Sequence, residues 1–506
     1  MKDKNTFYIT TPIYYPSKEF HIGHCYTTVI ADSLARFNRL KKKDVIFQTG
    51  TDEHGQKIEK IAKEQNKEPK EYVDKIVENT KELWNSLDIS YDKFIRTTDE
   101  EHIKNVTKIF NKLYENGDIY KGNYEGLYCT PCESFFSKEE LDENNKCPDC
   151  HREVSLVKEE AYFFRLSKYQ DKLLKFYEEH PLFLEPLSRR NEMINNFIRP
   201  GLKDLCVSRT SFNWGIPVSF DKKHVIYVWI DALSNYLTSL NYPSEKEMFD
   251  KYWPCDIHLV GKEIVRFHAI IWPAILMSLG IELPKKVFGH GWLVINNEKI
   301  SKSLGNYKSP KEYIEKYGKD RVRYFLLREI VLGKDGNFSE DLLISRTNSD
   351  LVNNLGNLVN RTIVMANKYF DKEIKFSKNY NPVDQELILN TNDLFDKVNN
   401  FVNDLKINEA LEEIFKLLDK CNKYIDKNEP WNLYKNNNLE RLEDVLYIIL
   451  ENIKVVSILL EAFIPSTSLR LKKMINKNNV NIKDIKFDEE SSYNDLNTYI
   501  LFERIK

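Results

Sequence analysis

The chain has 506 residues, enough at about 100–200 residues per domain for roughly three domains with a sizeable core. Hydrophobic residues make up 42% and charged residues 30%, as in a soluble globular protein, and 75 Lys and Arg against 77 Asp and Glu leave any nucleic-acid binding to local patches rather than a global basic field. The N-terminal text "MKDKNTFYITTPIYYP" has no apolar signal core and the longest apolar run, "AIIWPAILM", is too short to span a bilayer, so a cytoplasmic enzyme is expected.

In chain order, "FYITTPIYY" reads as a strand, and Ile22, Tyr26, Val29, Ser33 and Phe37 then recur at helical spacing up to "RLKKKD". A second apolar strand, "VIFQTG", ends in the polar turn "TDEHG", which completes a βαβ grammar. From about Tyr120 to Tyr162 the text turns irregular and carries "CTPC" and "CPDC", the mark of an insertion. Four other cysteines (Cys25, Cys206, Cys255, Cys421) are scattered, which fits a reducing compartment. Cys129, Cys132, Cys147 and Cys150, as two C-x-x-C pairs, therefore read as a closed tetrahedral thiolate site for one structural zinc, with two disulfides as the alternative. His151 adjoins the last cysteine as a substitute ligand. Strand and helix text resumes in "HVIYVWIDAL" and "DIHLVGKEIVRFHAIIWPAIL", and from about Ser345 helical periodicity dominates. There is no internal repeat.

The stretch "FHIGHCYTTV" sets two histidines around a glycine where the first helix begins. A helix start offers backbone N–H groups and the positive end of the dipole to a phosphate. Gly23 would let a nucleotide approach the backbone, and His21 and His24 would donate hydrogen bonds to phosphate oxygens. A second motif, "NNEKISKSLGN", carries Lys299, Ser301 and Lys302 on a small, polar, loop-like segment suited to the charge that builds on a triphosphate attacked at its α-phosphorus. Each motif alone is weak; both in this order are the signature of class I aminoacyl-tRNA synthetases.

The segments "PIYYPSKEFHIGH", "GTDEHGQKI", "NWGIPV", "YVWIDAL", "GKEIVRFH", "HGWLVINNEKISKS", "NLVNR", "EPW" and "LFERIK" resemble the methionyl-tRNA synthetase family over essentially the whole chain. The resemblance implies an α/β, class I Rossmann-like catalytic domain at 1–119 and 221–344, a zinc-binding connective-peptide insertion at 120–220, and an all-α anticodon-binding helical bundle at 345–506. It implies that ATP, accompanied by Mg²⁺, activates L-methionine, and that the methionyl group passes to initiator and elongator methionine tRNA. His21, Gly23, His24, Lys299, Ser301 and Lys302 match its ATP-binding positions, and Arg209, in "VSRTSFNWG", is a further candidate for phosphate charge. Ile13, Tyr15, Trp229, Ala232, Tyr236, Phe267 and His268 match its amino-acid pocket, where aromatic walls suit a thioether. Asp52 would hold the α-ammonium, and Asn357, Arg361 and Trp431 match its anticodon contacts, against the plainer reading of Trp431 as a core anchor and Arg361 as a surface charge.

Two departures stand out: Glu263 where the family usually has Asp, and Glu503 where it usually has Pro. No appended C-terminal tRNA-binding domain follows "LFERIK", so a monomer is expected. The leucine, isoleucine and valine enzymes need a larger editing insertion, the cysteine enzyme holds its zinc in the substrate pocket, and a non-catalytic RNA-binding paralogue would not need both motifs intact.

Overall fold

Strand β1 (Thr6–Tyr14) is buried almost from end to end, as its nearly continuous apolar text requires of a parallel strand covered on both faces. The computed structural model describes residues 5–130, 134–136, 138, 141–148, 151–295, 298–299 and 309–506. After β1 come α1 (Ile22–Leu40), β2 (Asp44–Thr51), α2 (Gln56–Glu64), α3 (Pro69–Ser86), β3 (Lys93–Arg96) and α4 (Glu100–Glu115). Next come β4 (Ile119–Cys129), β5 (Ser134–Phe136), β6 (Ser155–Phe164), α5 (Gln170–Glu179), β7 (Leu184–Glu185), α6 (Leu187–Glu192), β8 (Leu205–Cys206), β9 (Ser208–Arg209) and β10 (Val225–Ile226). The chain then returns through α7 (Val228–Thr238), α8 (Glu247–Tyr252), β11 (Ile257–Gly261), α9 (Trp272–Leu279) and β12 (Val287–His290).

These strands form a six-stranded sheet in the order β3-β2-β1-β11-β12-β7, with every recorded pairing parallel. The order reverses between β1 and β11, and in such doubly wound sheets the crevice beyond the strand C-termini at that reversal is where ligands bind. The register of β1 against β2 shifts between Thr10 and Ile13, at Pro12, which has no N–H for a ladder. The expected insertion is a separate antiparallel sheet, β5-β4-β6-β8, built on the long β4–β6 ladder from Ile119↔Phe164 to Tyr128↔Ser155.

Further along lie β13 (Leu293–Ile295), β14 (Glu298–Lys299), α10 (Pro310–Tyr317), α11 (Lys319–Arg328), β15 (Gly336–Phe338) and α12 (Glu340–Arg346). A π-helical stretch, Thr347–Gly356, runs from α12 without a break into α13 (Asn357–Tyr369). The bundle is completed by α14 (Pro382–Asn403), α15 (Ile407–Asn428), α16 (Pro430–Lys435), α17 (Leu439–Leu460) and α18 (Pro465–Met474). Helix α17 is its central member, buried at nearly every position from Leu442 to Leu460.

The chain divides into two compact units: Met1–Ala31, Asp44–Asn85 and Ser90–Gly291, then Asp32–Lys43, Ser86–Ile89 and Trp292–Lys506. The second unit takes in the chain from Trp292 onward, which includes α10 to α12 as well as the helices after residue 345. A reason lies in α11, whose fully buried Arg323 pairs with Asp32 at 2.7 Å and donates to the carbonyls of Leu87 and Phe463 at 3.0 and 2.8 Å. No helix among the described residues is long and apolar enough to cross a membrane.

Candidate active site

The backbone fixes the proton positions of the two histidines at the start of α1. The Gly23 N–H donates to His21 Nδ1 at 3.1 Å and the His21 N–H donates to His24 Nδ1 at 3.0 Å. Both Nδ1 atoms are acceptors, so each neutral ring carries its proton on Nε2 and keeps that N–H as its donor. Burial lowers the pKa of His21 to about 4, against a smaller opposing pull from Glu263, and lowers that of His24 well below the usual imidazole value. The rings lie 4.0 Å apart between centroids, with Phe20 stacked on His24 at 4.6 Å and Tyr14 edge-on at 5.2 Å.

This differs from a site made of bare helix amides. The Gly23 amide is taken by the His21 ring and the His24 amide donates to the His21 carbonyl at 2.9 Å, which leaves the imidazole Nε2 groups as donors. A β-carbon on Gly23 would come within 2.8 Å of His21 Cε1, so the room that glycine provides is used by the imidazole itself. One turn on, Thr27 donates to His290 Nε2 at 2.8 Å, since His290 Nδ1–H is used on the Gly291 carbonyl. Glu263, after β11, acts electrostatically on both His21 and His290, so the ends of β1, β11 and β12 meet here.

Four of the expected pocket residues form one aromatic set. Trp229 and Phe267 stack at 3.4 Å between centroids and 8° between planes. Tyr236 O–H donates to His268 Nε2 at 2.7 Å, because His268 Nδ1–H donates to the Ile264 carbonyl at 2.9 Å. Phe267 and His268 open a short π-helical turn, Phe267–Ile271, of the kind found at functional sites. Ala232 is buried on α7 with Trp229 and Tyr236, and Ile13 is half-buried opposite Gly50 at the end of β1. Tyr15 packs with Trp214 against the cluster of Ile58, Ala62, Tyr72, Val73 and Ile76.

Asp52 is buried just past β2, and the turn around it is clamped on both sides. Its own N–H donates to the Tyr14 carbonyl at 2.9 Å. Glu53 takes Arg96 on both carboxylate oxygens at 2.6 and 2.9 Å and accepts from Thr51 and Thr98 at 2.6 Å. His54 Nδ1–H donates to Asp231 Oδ2 at 2.6 Å, and His102 Nε2–H donates to Asp231 Oδ1 at 2.7 Å. Burial raises the Asp231 pKa, but the two imidazoles outweigh it and hold the carboxyl below its usual value. Asp231, His54 and His102 were not singled out from the sequence. The first two lie within the quoted motifs "WIDAL" and "TDEHG", while "EEHI" carries no signal for His102.

Arg209 is buried in β9, ion-paired with Glu159, hydrogen-bonded to Ser211 Oγ at 2.9 Å and stacked over Tyr128 at 4.2 Å. Its guanidinium thus helps hold the insertion. Lys299 pairs through its backbone with Val294 in the second unit, and Ser301 and Lys302 lie outside the described residues. Cys129 and Cys147 are fully buried side by side with Leu141 and Val154, while Cys132 and Cys150 lie outside the described residues. A tight knuckle surrounds Cys147, whose carbonyl accepts from the His151 N–H at 2.8 Å and whose N–H donates to the Arg152 carbonyl at 2.9 Å. The His151 ring is exposed and pairs through Nδ1 with Asp142 at 2.8 Å.

In the second unit, Asn357 is exposed at the start of α13, and Arg361, one turn on, reaches Asp426 and Asn422 of α15 at 3.2 and 3.3 Å. Trp431 is 43% exposed on α16.

The parallel sheet with this histidine site at its reversal defines a class I aminoacyl-tRNA synthetase, and a family model described as tRNA synthetases class I (M) matches residues 7–156 and 152–363. A second model, the anticodon binding domain of methionyl tRNA ligase, matches residues 376–499. The chain is 58% identical over 476 residues to the methionine-tRNA ligase of Clostridium tetani, covering 94% of this chain and 74% of the relative. It is 59% identical over 470 residues to that of Caldanaerobacter subterraneus, covering 92% and 73%. A solved Mycobacterium tuberculosis methionyl-tRNA synthetase in complex with methionyl-adenylate superposes with a TM-score of 0.94 at 37% identity, over 99% of this chain and 100% of that one. The chain belongs to the methionyl-tRNA synthetase family.

Proposed function

We propose that this ligase activates L-methionine with ATP at the histidine site and transfers the methionyl group to methionine tRNA, with the work divided among residues as follows. The observation that carries the reading is the pair of neutral Nε2–H imidazoles at the sheet's reversal point, in a first unit that also carries the aromatic set of Trp229, Phe267, Tyr236 and His268. The methionine carboxylate attacks the α-phosphorus of ATP in line and pyrophosphate leaves; the terminal ribose hydroxyl of the tRNA then attacks the activated carbonyl. No protein nucleophile is needed, so catalysis is positioning and charge stabilisation.

His21 and His24 donate to phosphate oxygens through Nε2–H, and Asp52 binds the substrate ammonium. Trp229, Phe267, Tyr236 and His268, with Ile13, Tyr15 and Ala232, receive the thioether, which packs well against ring edges. Lys299 and Lys302 meet the departing pyrophosphate, with Ser301 beside them. Mg²⁺ enters as the counter-ion of ATP. Cys129 and Cys147, buried together, are the described half of a four-thiolate zinc site with Cys132 and Cys150, a closed set whose metal supplies structure and no chemistry. Asn357, Arg361 and Trp431 read the anticodon, the enzyme works as a monomer, and its compartment is the cytoplasm.

The test is amino-acid-dependent ATP-pyrophosphate exchange. Methionine alone of the twenty amino acids should support rapid exchange, and Lys302→Ala should slow it by roughly 10²-fold, the scale of losing one preorganised charge-stabilising donor, with methionine affinity little changed. Unaltered exchange in that variant removes the lysine from the mechanism.

A further inference from the structure

Helix α7 has two working faces. Trp229, Ala232 and Tyr236 recur at helical spacing on one, while Asp231, Asn235 and Thr238 occupy another. That second face is polar and yet buried, with Asp231 at 0%, Asn235 at 1% and Thr238 at 3% exposure. Its members are tied to β2, to the turn after it and to α4: Asp231 to His54 of that turn and to His102 of α4, Asn235 to Gln48 of β2, and Thr238 to His102 Nδ1 at 2.7 Å. Apolar residues of similar volume would make a core no less stable, so a buried polar row of this kind is best explained by the register it imposes.

We propose that Asp231 is a positioning residue which, through His54, fixes the distance between the Asp52 carboxylate and the pocket wall on α7, and so makes the site measure methionine from its ammonium to its thioether. The inference rests on the reading of Asp52 as the ammonium ligand. His54 lies two residues from Asp52 in a turn whose other side is already clamped by Glu53 and Arg96, and Trp214 Nε1–H closes it by donating to the Glu53 carbonyl at 2.6 Å. His102 Nδ1 accepts from Thr238, so its Nε2–H is committed to Asp231 and the carboxylate cannot swing away without stranding a buried donor.

Asp231→Asn keeps the shape but sets an amide N–H₂ against one of two imidazole N–H donors. In ATP-pyrophosphate exchange it should raise KM for methionine by roughly 10-fold or more, with kcat changed much less, the pattern of lost ground-state binding. Inhibition by des-amino methionine, which has the thioether and no ammonium, should be the same in variant and wild type. His54→Leu should behave as Asp231→Asn does, and His54→Asn, which restores an N–H near the Nδ1 position, should recover much of the affinity. The His54 pair decides the matter if Asp231→Asn does not fold. A wild-type KM in Asp231→Asn, or equal weakening of methionine and des-amino methionine, overturns the proposal. Asp52→Asn separates the two levels: if it leaves KM unchanged, the ammonium reading falls and the inference with it; if it raises KM while Asp231→Asn does not, the inference alone falls.

Discussion

His268 shows how a single buried ring couples the pocket to pH. Its Nδ1–H is used on the Ile264 carbonyl and its Nε2 accepts from Tyr236, so it is held neutral, and burial lowers its pKa from 6.5 to about 4. The unfolded chain takes up this proton more readily than the folded one, so the contribution is fully present above about pH 6.5 and is lost as the pH falls toward 4. The shift corresponds to about 3 kcal/mol at most. His268→Gln should flatten the fall in urea midpoint between pH 6.5 and 4 relative to wild type. Parallel pH profiles for the two proteins would mean that the ring titrates freely.

Among the elements, the knuckle around Cys147 lies between the two long strands of the β4–β6 hairpin. The β4–β6 ladder is continuous over ten residue pairs, from Ile119↔Phe164 to Tyr128↔Ser155, so the hairpin stem stands on its own hydrogen bonds. Beyond it, among the described residues, Leu141 and Val154 pack around the buried Cys129 and Cys147. A segment packed around a small cluster is stabilised by a cross-link, and the proposed four-thiolate zinc would supply one. Cys132→Ser should therefore reduce zinc content below one per chain and open the tip to protease, while the β4–β6 stem stays protected. Full zinc occupancy by elemental analysis would show that the ligand set is wrong. The same element holds Arg209, whose guanidinium is buried against Glu159 and Tyr128 and so contributes to the insertion's packing.

Across the whole molecule, the division into two compact units implies that the two steps of the reaction can be impaired separately. On the proposed assignment, adenylation would use the first unit with the lysine motif, and anticodon recognition would use α13 and α16 of the second. Trp431→Ala should leave ATP-pyrophosphate exchange near wild type and lower kcat/KM for tRNA aminoacylation by about 1–3 kcal/mol, the value of one stacked base. If both steps fall together, Trp431 supports the fold; if neither falls, the anticodon is read elsewhere. Its 43% exposure is the reason to expect separation.

What the sequence determined by itself was the local chemistry. The buried β1, the helix that starts at Ile22, the paired cysteines and the helical C-terminal region follow from periodicity and spacing, because the physics that makes them acts over a few residues. Family likeness then assigned roles to positions such as Asp52 and Phe267. The tertiary structure decided what depends on groups far apart in the chain. His54 and Asp231 are 177 residues apart and Thr27 and His290 are 263 apart, and no periodicity links either pair. It also decided that Gly23 makes room for an imidazole and that the histidine protons sit on Nε2, since both depend on which backbone N–H reaches which ring nitrogen. Spacing along a chain fixes which side chains share a helix face or a turn; only the packed fold fixes which of them face each other, and a proton's position follows from that.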